Sequence, residues 1–309
     1  MTRLHGLHHV TAITGDAPAN VDFYARVLGL RMVKKTVNFD APEVYHLYYG
    51  SEEGSPGTVL TFFEFPGARR GRAGAGMIHR VAWEVGSADA LDFWQQRLGG
   101  EGVETQRDGP SLRFSDPESL DLELVVSRGA PVARSAAYPS IPSEHALRGF
   151  GGVRAYNARA DASSALLEGV LGFEGSGSQH TVGGARLTYD PPPPSAGVEG
   201  AGTVHHVAWA SADEDHASWR SALVDAGAHP TPIIDRTYFR SIYFREPSGV
   251  LFEIATVGPG FAIDEPVESL GQSLQLPARY EPMRAHLESA LTPITNPRAV
   301  SAPPPTGGT

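Results

Sequence analysis

The chain has 309 residues, no cysteine and a formal net charge of −10 at pH 7. This composition excludes disulfides, thiolate metal ligands and a cysteine nucleophile, and the acidic balance argues against a nucleic-acid-binding surface. The first residues lack the apolar core of a signal peptide, and no apolar run approaches the roughly 18 residues of a membrane span. The sequence therefore predicts a cytoplasmic globular protein without nucleic-acid or membrane partners.

The first predicted strand is LHGLHHVTAI, residues 4–13, in which a doubled histidine precedes a valine. The stretch ANVDFYARVLGL, residues 19–30, follows with apolar residues at helical spacing. Short apolar segments separated by turn residues come next and predict further strands.

The same strand pattern is written three more times, as MIHRVAWEV (77–85), GFGGVRAYN (149–157) and TVHHVAWAS (203–211). Predicted helices follow the second and fourth copies, over residues 88–100 and 213–227. Trp83 and Trp209 occupy matching strand positions and are interpreted as core residues.

The closing segments of units two and four also match. FSDPESLDLEL (114–124) aligns without gaps on FREPSGVLFEI (244–254), which places Glu123 and Glu253 at the same position. Each unit is therefore predicted to be a βαβββ module, and the fold to be α+β with four modules in two halves.

The predicted domains are 1–130 with modules one and two, 146–260 with modules three and four, and a carboxyl-terminal extension over 261–309. A linker rich in proline, serine and alanine, residues 127–150, joins the two halves. The last nine residues, SAPPPTGGT, are predicted to be disordered.

A βαβββ module that opens on His-Val and closes on Pro-x-Gly-x-x-x-Glu resembles the vicinal oxygen chelate superfamily. Within it, the chain resembles ring-cleaving dioxygenases that act on hydroquinones, from about residue 5 to residue 292, in motifs that include LHHVT, YHLYYG and EHALRGF. The resemblance implies curved sheets built from paired modules. It also implies a divalent metal held by histidines of opening strands and a glutamate of a closing strand.

The position before the aligned valine is His9, Arg80, Gly152 and His206 in the four modules. Only modules one and four can supply a ligand there, so we expect these two modules to form the metal-bearing cavity. Glu253 would join from the closing strand of module four. Two imidazoles and one carboxylate with open positions are typical of non-haem Fe(II) oxygenases. One Fe(II) per chain is predicted, with Mn(II) as the alternative.

The residues alone do not decide which histidine of each pair binds metal, because neighbours in a strand point to opposite faces. The resemblance selects His9 and His206. His8 and His205 then become candidate catalytic residues beside the metal, although an ideal pleat would direct them away from the cavity. Thr11, on the same face as His9, is a further candidate.

Arg236 and Tyr243 precede Glu253 by 17 and 10 residues, at places where the hydroquinone dioxygenases carry arginine and tyrosine. The resemblance implies that Arg236 holds an anionic substrate oxygen and that Tyr243 and His205 handle hydroxyl protons. The alternative is a surface ion pair and a core aromatic residue. Tyr238 and Phe239 are candidates for shaping the ring pocket.

Three further expectations concern the second cavity, a possible fourth ligand and two arginines. The second cavity is predicted to be metal-free, with an ion pair between Arg80 and Glu123. A fourth ligand would fall at Thr61 or Phe62, and Glu64 is interpreted as an ordinary strand-end residue. Two further arginines are interpreted as surface charges, Arg240 and Arg245.

The sequence thus predicts an Fe(II)-dependent dioxygenase that opens a hydroquinone-type ring, with a small aromatic substrate and O2 as partners. Whether the chain forms a homo-oligomer stays open. One alternative is a metal-dependent glyoxalase-like isomerase or lyase, which generally uses four protein ligands. The other is a non-catalytic small-molecule-binding protein of the resistance type.

Overall fold

The computed structural model describes residues 2–127, 129, 131, 133–159 and 161–300. The tail 301–309, predicted to be disordered, lies outside the described residues. The described chain is a mixed α+β structure of two large sheets and short helices. No helix within these ranges is long and apolar enough to cross a lipid bilayer. The cytoplasmic location stays a prediction.

The first half of the chain contains two modules. Module one consists of β1 (Leu4–Thr14), α1 (Ala17–Val21) continued by a π-helical segment (Asp22–Val27), β2 (Arg31–Asn38), β3 (Ala41–Gly50) and β4 (Val59–Glu64). Module two consists of β5 (Ile78–Val85), α2 (Ala88–Gly100), β6 (Thr105–Asp108), β7 (Ser111–Ser115) and β8 (Asp121–Val126).

The second half repeats this order. Module three consists of β9 (Phe150–Tyr156), α3 (Ser164–Gly169), β10 (Glu174–Ser176), β11 (Gln179–Val182) and β12 (Ala185–Asp190). Module four consists of β13 (Val204–Ser211), α4 (His216–Asp225), β14 (Ile234–Asp235), β15 (Phe239–Arg245) and β16 (Leu251–Pro259). The predicted four βαβββ modules are confirmed. Helix α3 escaped the sequence analysis because its six residues are too few to show helical periodicity.

The modules pair across the two halves of the chain. One sheet has the order β14-β15-β16-β13-β1-β4-β3-β2, extended at its edge by β17 (Leu274–Gln275), and so joins modules one and four. The other sheet, β10-β11-β12-β9-β5-β8-β7-β6, joins modules two and three. The predicted pairing of modules one and four is confirmed. The domain boundaries near residues 130 and 146 stay predictions, since each sheet takes one module from either half.

The core follows the alternation of apolar residues along the strands. Trp83 and Trp209 are 1% and 0% exposed, as predicted, and Trp209 packs against Phe173 and Phe252. Helix α2 begins at the capping residue Ser87 and buries its apolar stripe against the strands. Each such large apolar side chain contributes about 1.5–3 kcal/mol on burial. On the first sheet, Trp209 packs on one face, which leaves the opposite face free to carry polar groups.

The carboxyl-terminal extension covers the β2 edge of the first sheet. It contains three 3-10 turns (Phe261–Ile263, Val267–Ser269 and Glu281–Met283), α5 (Arg284–Ala290) and α6 (Pro297–Val300). Lys34 on β2 is fully buried, and its ammonium group donates to Asp264 at 2.5 Å and to Glu265 at 2.6 Å. A buried lysine needs such partners, so these contacts attach the extension firmly to module one.

Candidate active site

Three neighbouring strands of the first sheet carry the predicted ligand residues. His9 lies on β1 and His206 on β13, which pair antiparallel with Val10 opposite Val207. Glu253 on β16 lies beside Ala208, two residues beyond His206 and therefore on the same face. The side chains of His9, His206 and Glu253 are almost completely buried. The antiparallel pairing thus brings together residues that are nearly 200 positions apart in the sequence.

The three side chains converge on one point. Nε2 of His9 lies 3.3 Å from Nε2 of His206, and Oε2 of Glu253 lies 3.2 Å from the first and 2.9 Å from the second. Metal–ligand bonds of about 2.1 Å at right angles place ligand atoms about 3.0 Å apart. Neither oxygen of Glu253 accepts a well-oriented hydrogen bond from any described residue. The donor set and its spacing therefore fit a divalent cation held on one face.

Each of these histidines contacts the histidine before it. Nδ1 of His9 lies 2.9 Å from Nδ1 of His8, and Nδ1 of His206 lies 2.8 Å from Nδ1 of His205. An ideal pleat would separate these pairs, but the β1–β13 register is irregular beside both of them. When Nδ1 of His9 or His206 carries the proton and donates it to the preceding histidine, Nε2 of the same ring is left unprotonated and free to bind a cation. The structure thus brings His8 and His205 into contact with the candidate ligands.

The electrostatics favour a neutral imidazole at His206 and an ionised carboxylate at Glu253. Burial lowers the pKa of His8 to about 3 and that of His206 to about 4. Burial by itself would raise the pKa of Glu253, but the facing rings of His9 and His206 bring it well below its usual value. These are the protonation states that metal binding requires.

The position of a fourth ligand is occupied by Thr61. In module four, Glu253 pairs with Ala208, the residue two beyond His206. In module one, the residue two beyond His9 is Thr11, and it pairs with Thr61. The hydroxyls of Thr11 and Thr61 lie 2.8 Å apart. Of the two positions considered from the sequence, Thr61 is the structural equivalent, and it carries no carboxylate.

Glu64 lies apart from these ligands. It is at the end of β4, is buried, and accepts a hydrogen bond from Thr292 of the extension at 2.8 Å. Among the described residues, His9, His206 and Glu253 form the one cluster of three potential ligands. The site therefore offers three protein ligands.

His46 is a partly buried residue of this site that the sequence analysis missed. Its Nδ1 contacts the hydroxyl of Tyr48 at 2.8 Å and its Nε2 contacts Thr61 at 2.9 Å, which extends the threonine pair into a chain of four side chains. Burial lowers the pKa of His46 well below its usual value. The motif YHLYYG drew attention only through resemblance, because a histidine within an apolar strand shows no partner in the sequence.

A cavity of about 330 Å³ opens above the three ligand residues. Its walls include four histidines, aromatic side chains and a few polar groups: His9, Asn38, Phe39, Asp40, His46, Tyr48, Phe63, Phe65, His205, His206, Thr231, Ile234, Arg236, Phe239, Tyr243 and Leu251. Phe239 lines this space as predicted. Tyr238, expected to shape the pocket, does not line it, because it is buried and donates to Asp264 at 2.9 Å. Thr11 does not line the cavity either, and its hydroxyl contacts that of Thr61.

Arg236 and Tyr243 meet at the wall of the cavity. Nε of Arg236 donates to the hydroxyl of Tyr243 at 3.3 Å, and Tyr243 lies beside Glu253 in the sheet. Burial, followed by the charge of Glu253, raises the pKa of Tyr243 far above its usual value, so its hydroxyl keeps its proton. Both residues are thus within the site. The two other arginines considered, Arg240 and Arg245, are exposed as predicted.

The second sheet lacks the ligands at equivalent positions. Nη1 of Arg80 lies 3.8 Å from Oε2 of Glu123, and Nε of Arg113 lies 3.6 Å from the other oxygen. Gly152 has φ +153, and a β-carbon there would lie 2.2 Å from the carbonyl oxygen of Arg186. The backbone therefore admits no histidine at this position, and the predicted Arg80–Glu123 ion pair is present.

Comparisons with known proteins agree with this architecture. A curated protein of Bacillus subtilis (strain 168), named "Putative ring-cleaving dioxygenase MhqO", is 42% identical over 302 residues, which cover 94% of this chain and 96% of that protein. The chlorohydroquinone/hydroquinone 1,2-dioxygenase of Sphingobium indicum is 34% identical over 308 residues, which cover 92% and 95% of the two chains.

A crystal structure of a Bacillus subtilis protein described as a putative dioxygenase superposes with a TM-score of 0.90 at 40% identity, covering 96% of this chain and 99% of that one. The model of the Glyoxalase/Bleomycin resistance protein/Dioxygenase superfamily matches residues 6–117 and 150–254. These two segments correspond to the two halves of the chain and contain all three candidate ligand residues. The chain belongs to the Glyoxalase/Bleomycin resistance protein/Dioxygenase superfamily.

Proposed function

We propose that this protein is a ring-cleaving dioxygenase that opens a hydroquinone-type ring with O2, using one Fe(II) held by His9, His206 and Glu253. The observation that carries the proposal is the buried site of two imidazoles and one carboxylate beneath a cavity with aromatic walls. The hydroquinone dioxygenase of Sphingobium indicum, similar over most of its length, supports the same reaction class. Mn(II) is the alternative metal.

When bound, Fe(II) would supply Lewis acidity and the redox chemistry that reaction with O2 requires. The protein would bind the ring between the aromatic walls of the cavity and exclude water from it. Arg236 would hold the anionic oxygen of the substrate through a charge-assisted hydrogen bond. Tyr243, whose hydroxyl keeps its proton, would donate to a substrate oxygen, and Nε2 of His205, the ring nitrogen that does not contact His206, would hold a substrate hydroxyl by a hydrogen bond.

The remaining groups would prepare the ligands. His8 and His205 would each accept a hydrogen bond from Nδ1–H of the following histidine, which keeps the Nε2 atoms of His9 and His206 available to the metal. Thr11 would act through Thr61 by fixing the side of the cavity next to His46. These groups would therefore act mainly by orientation.

The two alternatives are less well supported. A glyoxalase-like isomerase generally needs a fourth protein ligand, and the equivalent position is Thr61. A non-catalytic binding protein would need no cluster of ligand residues beneath its cavity. The three-ligand arrangement therefore favours a redox reaction with open coordination positions.

Oxygen uptake by the Fe(II)-loaded protein tests the proposal. With hydroquinone, we expect one O2 consumed per ring and a ring-opened acid as the product, detected by an oxygen electrode and mass spectrometry. Cleavage of catechols without activity on hydroquinones would reject the substrate class. Isomerisation of a methylglyoxal–thiol adduct without oxygen uptake would reject the dioxygenase itself.

A pair of glutamate variants tests the metal site independently of activity. We expect Glu253→Gln to lose the bound metal, because a neutral amide replaces the anionic ligand. Glu64→Gln, which alters a buried glutamate outside the cluster, should keep about one metal per chain, the content expected of the unaltered protein. Metal analysis of anaerobically purified proteins distinguishes the two, and full occupancy in Glu253→Gln would remove the assignment.

A further inference from the structure

Arg236 has a second partner at the mouth of the cavity. Its Nη1 atom donates to Oδ2 of Asp40 at 3.2 Å, while its Nε atom donates to Tyr243 within the cavity. The Asp40 side chain is 75% exposed and that of Arg236 is 23% exposed. An ion pair this exposed contributes little to stability. The Asp40–Arg236 pair therefore matters mainly through the charge that it presents to a ligand entering the cavity.

The turn that carries Asp40 is held in place from two directions. Asp40 follows β2, and its backbone N–H donates to the side chain of Asn38 at 2.9 Å. The carbonyl oxygen of Phe39 accepts hydrogen bonds from Arg279 at 2.6 Å and from the hydroxyl of Tyr280 at 2.8 Å. The carboxyl-terminal extension thus fixes the turn, so that Asp40 remains at the rim beside Arg236.

Charge is scarce elsewhere on the cavity walls. Among the described lining residues other than histidine, Asp40 and Arg236 are the charged ones. Asp40 neutralises the cation that would otherwise attract a second anionic group on a substrate. A ring carrying a carboxylate would meet a negative charge at the mouth and an arginine that is already engaged.

We propose that Asp40 is a specificity-determining residue that selects hydroquinones with uncharged ring substituents against carboxylated ones. The selection is electrostatic, since the carboxylate of Asp40 repels an anionic substituent and already accepts a hydrogen bond from Nη1 of Arg236. This inference rests on the proposed function for the identity of the ring. Its physical basis, the Asp40–Arg236 pair, is independent of the reaction.

The test compares two ligands that differ mainly in charge, 2,5-dihydroxybenzoate and its methyl ester. The measured quantity is kcat/KM for the acid divided by kcat/KM for the ester in the Fe(II)-loaded protein. We expect Asp40→Asn to raise this ratio by about 5- to 10-fold, as one charge several ångströms away in a partly wet site would produce. A ratio within about twofold of the unaltered protein overturns the proposal.

Two further variants separate the local charge from other effects. Asp40→Glu keeps the charge and should keep the original ratio. Asp213→Asn removes a negative charge from a different exposed ion pair. In this pair Nη2 of Arg240 lies 3.4 Å from Oδ1 of Asp213, outside the cavity. Asp213→Asn should also leave the ratio unchanged. A rise with Asp213→Asn equal to that with Asp40→Asn would attribute the effect to net charge and reject the role of Asp40.

Equilibrium binding separates failure of this inference from failure of the proposed function. Both ligands are titrated into the protein as purified, without O2, and the two Kd values are compared by intrinsic fluorescence. If hydroquinone is not turned over, a shift of the Kd ratio in Asp40→Asn still supports the charge selection. An unchanged Kd ratio overturns it whether or not the protein is a dioxygenase.

Discussion

At the scale of single residues, Arg236 connects the mouth of the cavity with its interior. It contacts Asp40 on one side and Tyr243 on the other, and it comes from a segment that the sequence could also have placed at the surface. A guanidinium keeps its charge throughout the ordinary pH range and cannot bind a metal. Its contribution must therefore appear in turnover and leave metal content unchanged.

Replacement of Arg236 by alanine tests this contribution. One lost charge-assisted hydrogen bond costs about 1.5–3 kcal/mol, or roughly 10- to 100-fold in kcat/KM for a hydroquinone. Metal content should be unaffected, because Arg236 is outside the ligand cluster. Arg240→Ala, which alters an exposed arginine on the neighbouring strand, is the matched control and should keep full activity.

His46 shows what sequence reasoning cannot find at this scale. The two histidine pairs and Glu253 were identifiable because they recur at matching positions of a repeated module, and the family resemblance then selected His9 and His206. His46 has no such counterpart, and its role depends on Tyr48 and Thr61, which approach it only when β3 pairs with β4. A solitary histidine becomes a site residue only through neighbours that the fold supplies.

At the scale of elements, the antiparallel pairing of β1 with β13 creates the site. The pair joins the opening strands of modules one and four, while the corresponding pair β5–β9 joins modules two and three. Both pairs have the same geometry, but the second carries Arg80 and Gly152 where the first carries the histidines. The same kind of strand pair therefore carries a candidate metal site in one sheet and an ion pair in the other.

Alanine variants of the two histidines test this pairing. We expect His9→Ala and His206→Ala to lose the metal equally, because each removes one of only three ligands. His79→Ala alters the doublet of module two, where His79 contacts Asp190 at 2.8 Å, and should retain the metal. Full metal occupancy in His9→Ala would mean that β1 contributes no ligand. The metal site would then be formed by module four without module one.

At the scale of the whole molecule, burial of several histidines makes stability depend on pH. Burial lowers the pKa of His8, His46 and His206, so that the unfolded chain takes up protons between about pH 6.5 and 4 while the native protein does not. The contribution of these groups is therefore complete above their unfolded pKa. This contribution to stability is lost as the pH falls towards the pKa values of these histidines in the folded protein.

Urea unfolding of the metal-free protein at several pH values measures this dependence. The free energy of unfolding should fall steadily from pH 7 to pH 5, with His206 alone contributing up to roughly 3 kcal/mol over its full shift. His46→Asn should flatten the curve, because it removes one titrating group. A free energy of unfolding that is constant across this range would show that the buried histidines keep their ordinary pKa values.

The sequence by itself determined the module repeat, the α+β class, the two histidine pairs and Glu253, because each belongs to a local pattern that recurs, while the choice of His9 and His206 within the pairs came from the family resemblance. Tertiary structure decided the rest. Irregular register beside each histidine pair turns His8 and His205 towards the ligands, and β-pairing places Thr61 at the position of a fourth ligand. The carboxyl-terminal extension fixes the turn of Asp40 beside Arg236. These features arise from contacts between distant segments, which strand and helix periodicity do not encode.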